Sequence, residues 1–370
     1  MSSAPEISDA MDFQESQMPP DLDNDNLEGE NNGKQVMHDY FWEGSPEYRR
    51  LCELRKKGWE STEGDKHFRK QRKTSAKPDQ NSLRFFYTMM QTRTIGKDMD
   101  RVTRVFDLTS VQKPALLDMC MAPGGFVAHA LKKTPQLQVR AMTLPKESGG
   151  HEVRLEDETV KVELLDVTIL VADMGITEED VPSNLPGPRG LHFTKAFADE
   201  EKFDIAICGG AVVHTHPRQE SHGRHESIRL TLTQLAISLD HLKPGGSMII
   251  LLHKVEAWRC FHLIHQFSRI SEIKLFKHRK HHGIRSAFYF IAKNIRADST
   301  LAQDMVTGWK QFYKVATLGT DDEYYKAYRV NDEDVRIALG EFGQQYLEMA
   351  KNVWKIQADA LEKAPFIKKE

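Results

Sequence analysis

Cysteine is scarce in this chain of 370 residues: Cys52, Cys120, Cys208 and Cys260 stand far apart, with no CxxC pair among them. That spacing argues against a disulfide frame or a zinc module and for reduced thiols, with Cys120 and Cys260 in apolar, core-like patterns. Long hydrophobic runs are missing too, and no charged-then-apolar leader opens the sequence. The protein is therefore expected to be soluble and intracellular, in nucleus or cytoplasm, with no membrane partner. Lys and Arg are absent from residues 1–32, which carry nine acids among Ser, Pro and Asn. Such a stretch buries too little to order itself, and residues 1–36 read as a disordered acidic leader. The formal net charge of −3 hides this asymmetry, so it neither supports nor excludes nucleic acid.

What is present begins with a basic, aromatic extension over 37–81. Tyr40, Phe41, Trp42, Tyr48, Leu51, Leu54 and Trp59 alternate with Arg49, Arg50, Arg55, Lys56, Lys57, Arg69, Lys70, Arg72 and Lys73. Aromatics interleaved with bases suit phosphates and stacked bases, and they equally suit an amphipathic helix packed by its aromatics. From 82 to 106 the apolar spacing predicts one or two helices.

Short apolar runs then alternate with helical stretches, predicting strands over 115–120, 139–144, 167–174, 203–208 and 247–254, with helices over 126–132, 226–241 and 257–270. Two late strands, 274–278 and 287–293, flank a basic connection and suit an antiparallel pair. Its bases suit either an RNA backbone or a charged rim against edge pairing. The alternation is that of an α/β fold, a doubly wound, mostly parallel seven-stranded sheet with helical N- and C-terminal extensions. Residues 82–294 form the expected central domain and 295–370 a helical extension whose apolar residues recur at helical spacing.

The chain is organised around ALLDMCMAPGGFVAHA, residues 115–130, which reads as strand, tight loop and helix. It is neither a GxGxxG dinucleotide loop nor a GxxxxGK phosphate loop. Gly124 and Gly125 permit close backbone approach, Pro123 stiffens the entry, and Asp118 offers acceptor oxygens at the end of the strand. The helix N-terminus that follows faces the same space.

The stretch DMCMAPGGF resembles the first cofactor motif of FtsJ-like ribose 2′-O-methyltransferases, a family of S-adenosylmethionine-dependent enzymes. The resemblance runs from about residue 82 to 294, supported in order by VTILVADMGI, FDIAICGGA, LKPGGSMIILLHK and RSAFYFIAKN. It implies a Rossmann-like class I methyltransferase fold and S-adenosyl-L-methionine as cofactor. Gly124 and Gly125 would meet the methionine end, with Asp118 near its amino group. Asp173, expected at the end of the third strand, would take the adenine amino group, and Met174 would pack on the ring. Where the wider class has an acid for the cofactor ribose, the second strand here ends in Thr143. Ala122, Pro123, Phe126 and Cys208 complete the implied cofactor set.

The same family surrounds its target hydroxyl with a Lys-Asp-Lys-Glu tetrad, because a ribose hydroxyl is a weak acid that must lose its proton as it attacks the methyl group. Lys254 stands at the fifth-strand lysine. Cys208 is read at the Asp position and Ala287 at the Glu position, and Lys97, Arg101 and Arg104 are the bases near the first. With the carboxylates gone, His214 and His216, which follow the fourth strand, become candidate bases beside Lys254. The loop HTHPRQESHGRHE matches no common zinc spacing, so no metal is expected. More simply it is a polar loop over the cleft, with Arg218 and Arg224 able to meet phosphate.

The expected function is methyl transfer from S-adenosylmethionine to RNA ribose. A small-molecule hydroxyl as acceptor, or a non-catalytic module that binds cofactor or RNA, remains open, as do protein partners through the terminal extensions.

Overall fold

The computed structural model describes residues 33–64, 66, 84, 87, 88, 94–183, 190–211 and 225–367. Before the sheet come α1 (Lys34–Gly44), α2 (Pro46–Glu60) and α3 (Ile95–Thr103). Then follow β1 (Ala115–Asp118), α4 (Gly125–Lys133), β2 (Gln138–Thr143), β3 (Val160–Leu164), β4 (Phe203–Cys208), α5 (Glu226–Asp240), β5 (Leu242–His253), α6 (Trp258–Ser268), β6 (Glu272–Phe276) and β7 (Ala287–Ile295). Helices α7 (Thr300–Leu318), α8 (Asp321–Tyr328) and α9 (Asp332–Glu362) end the chain.

The strands lie in the order β3-β2-β1-β4-β5-β7-β6. β1 to β5 pair in parallel, and β7 runs antiparallel between β5 and β6. The order reverses between β1 and β4, and in an open α/β sheet the carboxyl ends of the strands at that point form the ligand crevice. The pleat sends alternate side chains to opposite faces. Leu116, Ile205, Ile207, Ile249 and Tyr289 pack on the side of α3 and α4. Leu117, Ala206, Cys208, Met248 and Ile250 pack on the other, with α5, α6 and the terminal helices.

Most of the expected strands are found within a few residues, but the third is not. Residues 167–174 form a short 3₁₀ turn at Val167–Ile169 and further turns, while the strand beside β2 is Val160–Leu164. Asp166 explains the stop. Its carboxylate accepts from the Thr168 N–H at 2.8 Å and the Thr168 hydroxyl at 2.7 Å, turning the chain out of the sheet.

The aromatic side of the N-terminal extension is largely consumed by packing. Phe41 and Tyr48 lie with ring centroids 5.2 and 5.0 Å from that of Trp354 on α9, and all three are buried. Gly343 in α9 admits this approach, since a Cβ there would stand 2.6 Å from the Tyr40 hydroxyl. Trp59, 73% exposed, is the exception on α2.

The basic connection before β7 also turns inward. The Lys277 ammonium is buried and donates to the carbonyls of His282, Arg285 and Ala287, while His278, with its Nε2 3.1 Å from Asp98, His281, His282 and Arg285 are buried too. Of its bases, Arg279 and Lys280 remain exposed. Residues 82–83, 85–86 and 89–93 of the expected early helices lie outside the described residues, and α3 is the helix found after them.

Candidate active site

At the end of β1 the chain passes through residues 119–124 into α4, whose N-cap is Gly124 at φ 105°. A side chain is barred there twice over, by the backbone conformation and by a Cβ that would lie 2.9 Å from that of Leu155. The loop is tied on both sides: the Met121 N–H donates to Met142 O, and the Arg154 N–H to Pro123 O. It borders a small open cavity lined by Asp118, Cys120, Met121, Ala122, Pro123, Gly125, Phe126, Ile207, Gly209, Leu251 and Tyr289.

Asp118 is the acid of this cavity. It is buried, and the Cys120 N–H donates to it at 3.2 Å. Burial pushes its carboxyl up to about 7, only partly opposed by that hydrogen bond. A buried acid in this condition is suited to a cationic partner, which would hold it ionised. The amino group of S-adenosylmethionine is such a cation, and the glycine turn beside it leaves room for the methionine end. The residues present therefore fit the cofactor that the sequence implies.

Thr143 closes β2, buried, its carbonyl accepting from the Leu165 N–H. Asp173 and Met174 do not stand where the sequence placed them. Asp173 lies beyond the 3₁₀ turn, and its carboxylate accepts from the N–H groups of Ala196 and Phe197 at 3.0–3.1 Å. Met174 is 1% exposed and packs in the core. Both stand away from the strand end because the third strand ends ten residues earlier than the apolar run suggested. The acid that follows β3 is Asp166, near enough to Cys120 to help hold that thiol protonated, after burial, Asp118 and Cys208.

A second correction concerns β4. Cys208 is buried on the face away from the cavity, its thiol donating toward Gln234 O at 3.5 Å and the Ser238 hydroxyl at 3.3 Å on α5. It is thus removed from the cofactor set. Strand parity sends position 209 to the cavity side, and there the chain has Gly209, where a Cβ would make an ordinary contact with Ile207 Cγ2 at 3.9 Å. At Gly210 a Cβ would lie 2.3 Å from the Cys120 sulfur, so that glycine is required by packing.

Lys254 follows β5 with φ 52°, its N–H donating to Ser286 O at 3.2 Å. Burial lowers its ammonium below the ordinary lysine range, and Glu256 acts against that shift. Ala287, across from His253 in the β5–β7 register, is buried. Lys97 is exposed on α3, with Arg101 and Arg104 near its end. His214, His216, Arg218 and Arg224 lie outside the described residues.

Several site residues escaped the sequence reading. Tyr289 and Leu251 line the cavity, with the Tyr289 ring edge-on to Phe126 at 5.6 Å between centroids. Both sit in strands as ordinary apolar residues, so only the pleat distinguishes them. For Gly209 the signal was available, since counting alternate residues from Ile205 gives it.

Among solved structures, the chain resembles a protein named as a ribosomal RNA methyltransferase from Plasmodium falciparum, at 14% identity over 54% of this chain and 94% of that one, with a TM-score of 0.34. An rRNA methylase from Streptococcus thermophilus gives 16%, 55%, 98% and 0.32 in the same order. The N-methyltransferase NodS from Bradyrhizobium japonicum gives 13%, 54%, 96% and 0.31. No curated protein sequence matches the chain. The model of the FtsJ-like methyltransferases matches residues 97–295, more than half of the chain and the whole of the sheet. The chain therefore belongs to the FtsJ-like methyltransferase family and is an S-adenosylmethionine-dependent methyltransferase.

Proposed function

We propose that the acceptor is the 2′-hydroxyl of an RNA ribose and that Lys254 assists its deprotonation. The observation that carries this reading is Lys254 itself, half-buried at the carboxyl end of β5, with its ammonium lowered by burial. Acid–base assistance of this kind works best when the group titrates close to the working pH. In the reaction the ribose oxygen attacks the methyl carbon in line with sulfur, the carbon–sulfur bond breaks, and the hydroxyl proton passes to Lys254 and on to solvent. S-adenosylhomocysteine is the other product. The cofactor supplies the activated methyl group, while Asp118 and the glycine turn hold its methionine end. Asp166 takes the adenine role first assigned to Asp173. His214 and His216 stay in the proposal as further candidates for the proton.

RNA is supported by exposed bases on elements that reach the carboxyl end of the sheet: Lys97 on α3, next to the Asp98 that meets His278, Arg279 and Lys280 before β7, and Lys56 and Lys57 with Trp59 on α2, whose Arg55 meets Glu256. Bases of this kind meet phosphates, and an exposed indole can stack on a nucleobase.

The test is transfer of a radiolabelled methyl group to total RNA, followed by alkaline hydrolysis. Ribose 2′-O-methylation blocks cleavage, so the expected label sits in alkali-resistant dinucleotides. Label in mononucleotides would assign the methyl to a base, and label only in a small-molecule extract would assign a different acceptor.

A further inference from the structure

Helices α7 and α9 follow residue 295, where the family match ends, yet each sends one buried tyrosine to a loop of the cleft. On the β3 side, the Tyr313 hydroxyl of α7 donates to Thr168 O at 2.6 Å, and Arg229 of α5 donates to the same carbonyl at 2.8 Å. Thr168 is the residue whose N–H and hydroxyl hold the Asp166 carboxylate. On the β5 side, the Tyr346 hydroxyl of α9 donates to Val255 O at 2.5 Å, one residue past Lys254.

The β5 side is braced further. Glu256 accepts from Arg55 of α2 at 2.5 Å and from the Trp354 indole of α9 at 3.2 Å. Arg55 also donates to Gln357, which in turn donates to Ile284 O at 3.0 Å in the loop before β7. That loop supplies Ser286 O, the acceptor of the Lys254 N–H. A buried network with its members paired fixes backbone that would otherwise relax. Lys254 needs such fixing, because a non-glycine residue at positive φ holds its conformation only where its surroundings enforce it.

We propose that Tyr313 and Tyr346 are positioning residues for the two sides of the cleft, Tyr313 setting the Asp166 turn for the cofactor and Tyr346, with Arg55 and Glu256, setting the Lys254 loop for methyl transfer. The terminal helices are then a working part of the enzyme. The inference rests on the roles assigned above to Asp166 and Lys254.

The experiment uses the full chain with Tyr313→Phe and Tyr346→Phe, which remove a hydroxyl and keep the ring. Calorimetry with S-adenosylmethionine and single-turnover transfer to total RNA at saturating cofactor are measured on both. Tyr313→Phe is expected to weaken cofactor binding about fivefold, with the smaller effect on transfer, and Tyr346→Phe to slow transfer about fivefold, with the smaller effect on binding. Arg55→Met follows Tyr346→Phe. A merely structural role would lower both quantities in parallel with the melting temperature, and that result overturns the proposal, as does no change in either.

Hydrogen exchange separates this outcome from failure of the catalytic reading. Should Lys254→Met retain transfer, the role of Lys254 falls. The brace is then judged by whether Tyr346→Phe speeds exchange over residues 253–257 and leaves 165–170 unchanged. Unchanged exchange over 253–257 overturns it.

Discussion

The two sides of the cleft are built in contrasting ways. At the end of β1 the chain presents an acid, a glycine turn and a helix N-terminus, all in the pattern of the family, and the backbone itself forms much of the wall. At the end of β4 and the start of β7 it presents Gly209 and Ala287, positions without polar side chains, so Lys254 is left to act with partners drawn from outside the sheet. Glu256 is the nearest carboxylate on its own loop, and burial, which would raise that acid, is outweighed by Arg55, which keeps it ionised. The glycine turn of the cofactor side is thus fixed by local sequence, and the Lys254 loop by helices distant in sequence.

The sharpest way to break this comparison is Lys254→Met. If Lys254 carries the acid–base work on its side, transfer to RNA falls by about 10²–10⁴-fold, the range for removing a general base. Calorimetry on the same variant checks that the cofactor side is intact, with a dissociation constant within about twofold of the parent, since no cofactor contact is assigned to the lysine. A large loss of binding would mean that the two sides are not separable.

Asp118→Asn tests the other side and carries an opposite effect on stability. Loss of a charge-assisted bond to the cofactor amino group weakens binding by about 10–100-fold. Because the native pKa of Asp118 lies near 7 against an ordinary 3.8, its contribution to stability is fully present below pH 3.8 and is lost as pH rises through 7. The Asn variant should therefore melt higher than the parent at pH 8, and the gain should vanish toward pH 4. In the parent enzyme, cofactor binding needs the carboxylate, so affinity should fall about tenfold for each unit of pH below 7. Scanning calorimetry between pH 4 and 8 and titrations between pH 5.5 and 8 check both signs.

Much of the cofactor side was legible because its determinants are contiguous. Asp118, Pro123, Gly124 and Gly125 lie within eight residues, and each residue type has a conformational reason to be there. The order of strands was also readable, since buried parallel strands are short apolar runs. Legibility failed where an apolar run was not a strand. VTILVADM is apolar because it packs under α5 and α7, with Val167, Leu170, Val171 and Met174 all buried. Its hydrophobicity matched a strand while Asp166 had already turned the chain away. At β4 the error was one residue, and one residue in a strand exchanges the two faces. The braces on Lys254 were beyond reach, because Arg55 and Glu256 are 201 residues apart and nothing local pairs them.

The smallest predicted effect separates the two acids that the sequence confused. Asp166 follows β3 and holds its carboxylate with the N–H and hydroxyl of Thr168, leaving further lone pairs for an adenine amino group. Asp173 spends its oxygens on the amides of Ala196 and Phe197. Asp166→Asn should weaken S-adenosylmethionine by about fivefold, the value of one ordinary hydrogen bond, with little change in melting temperature. Asp173→Asn should instead lower stability by about 1–3 kcal/mol, as buried amides lose charged acceptors, while the folded fraction binds cofactor as the parent does. Calorimetry and thermal melts on both variants decide the matter. If Asp173→Asn alone weakened binding, the adenine would have to lie beyond the 3₁₀ turn, and the cofactor side would extend past the carboxyl end of β3, farther from the switch point between β1 and β4.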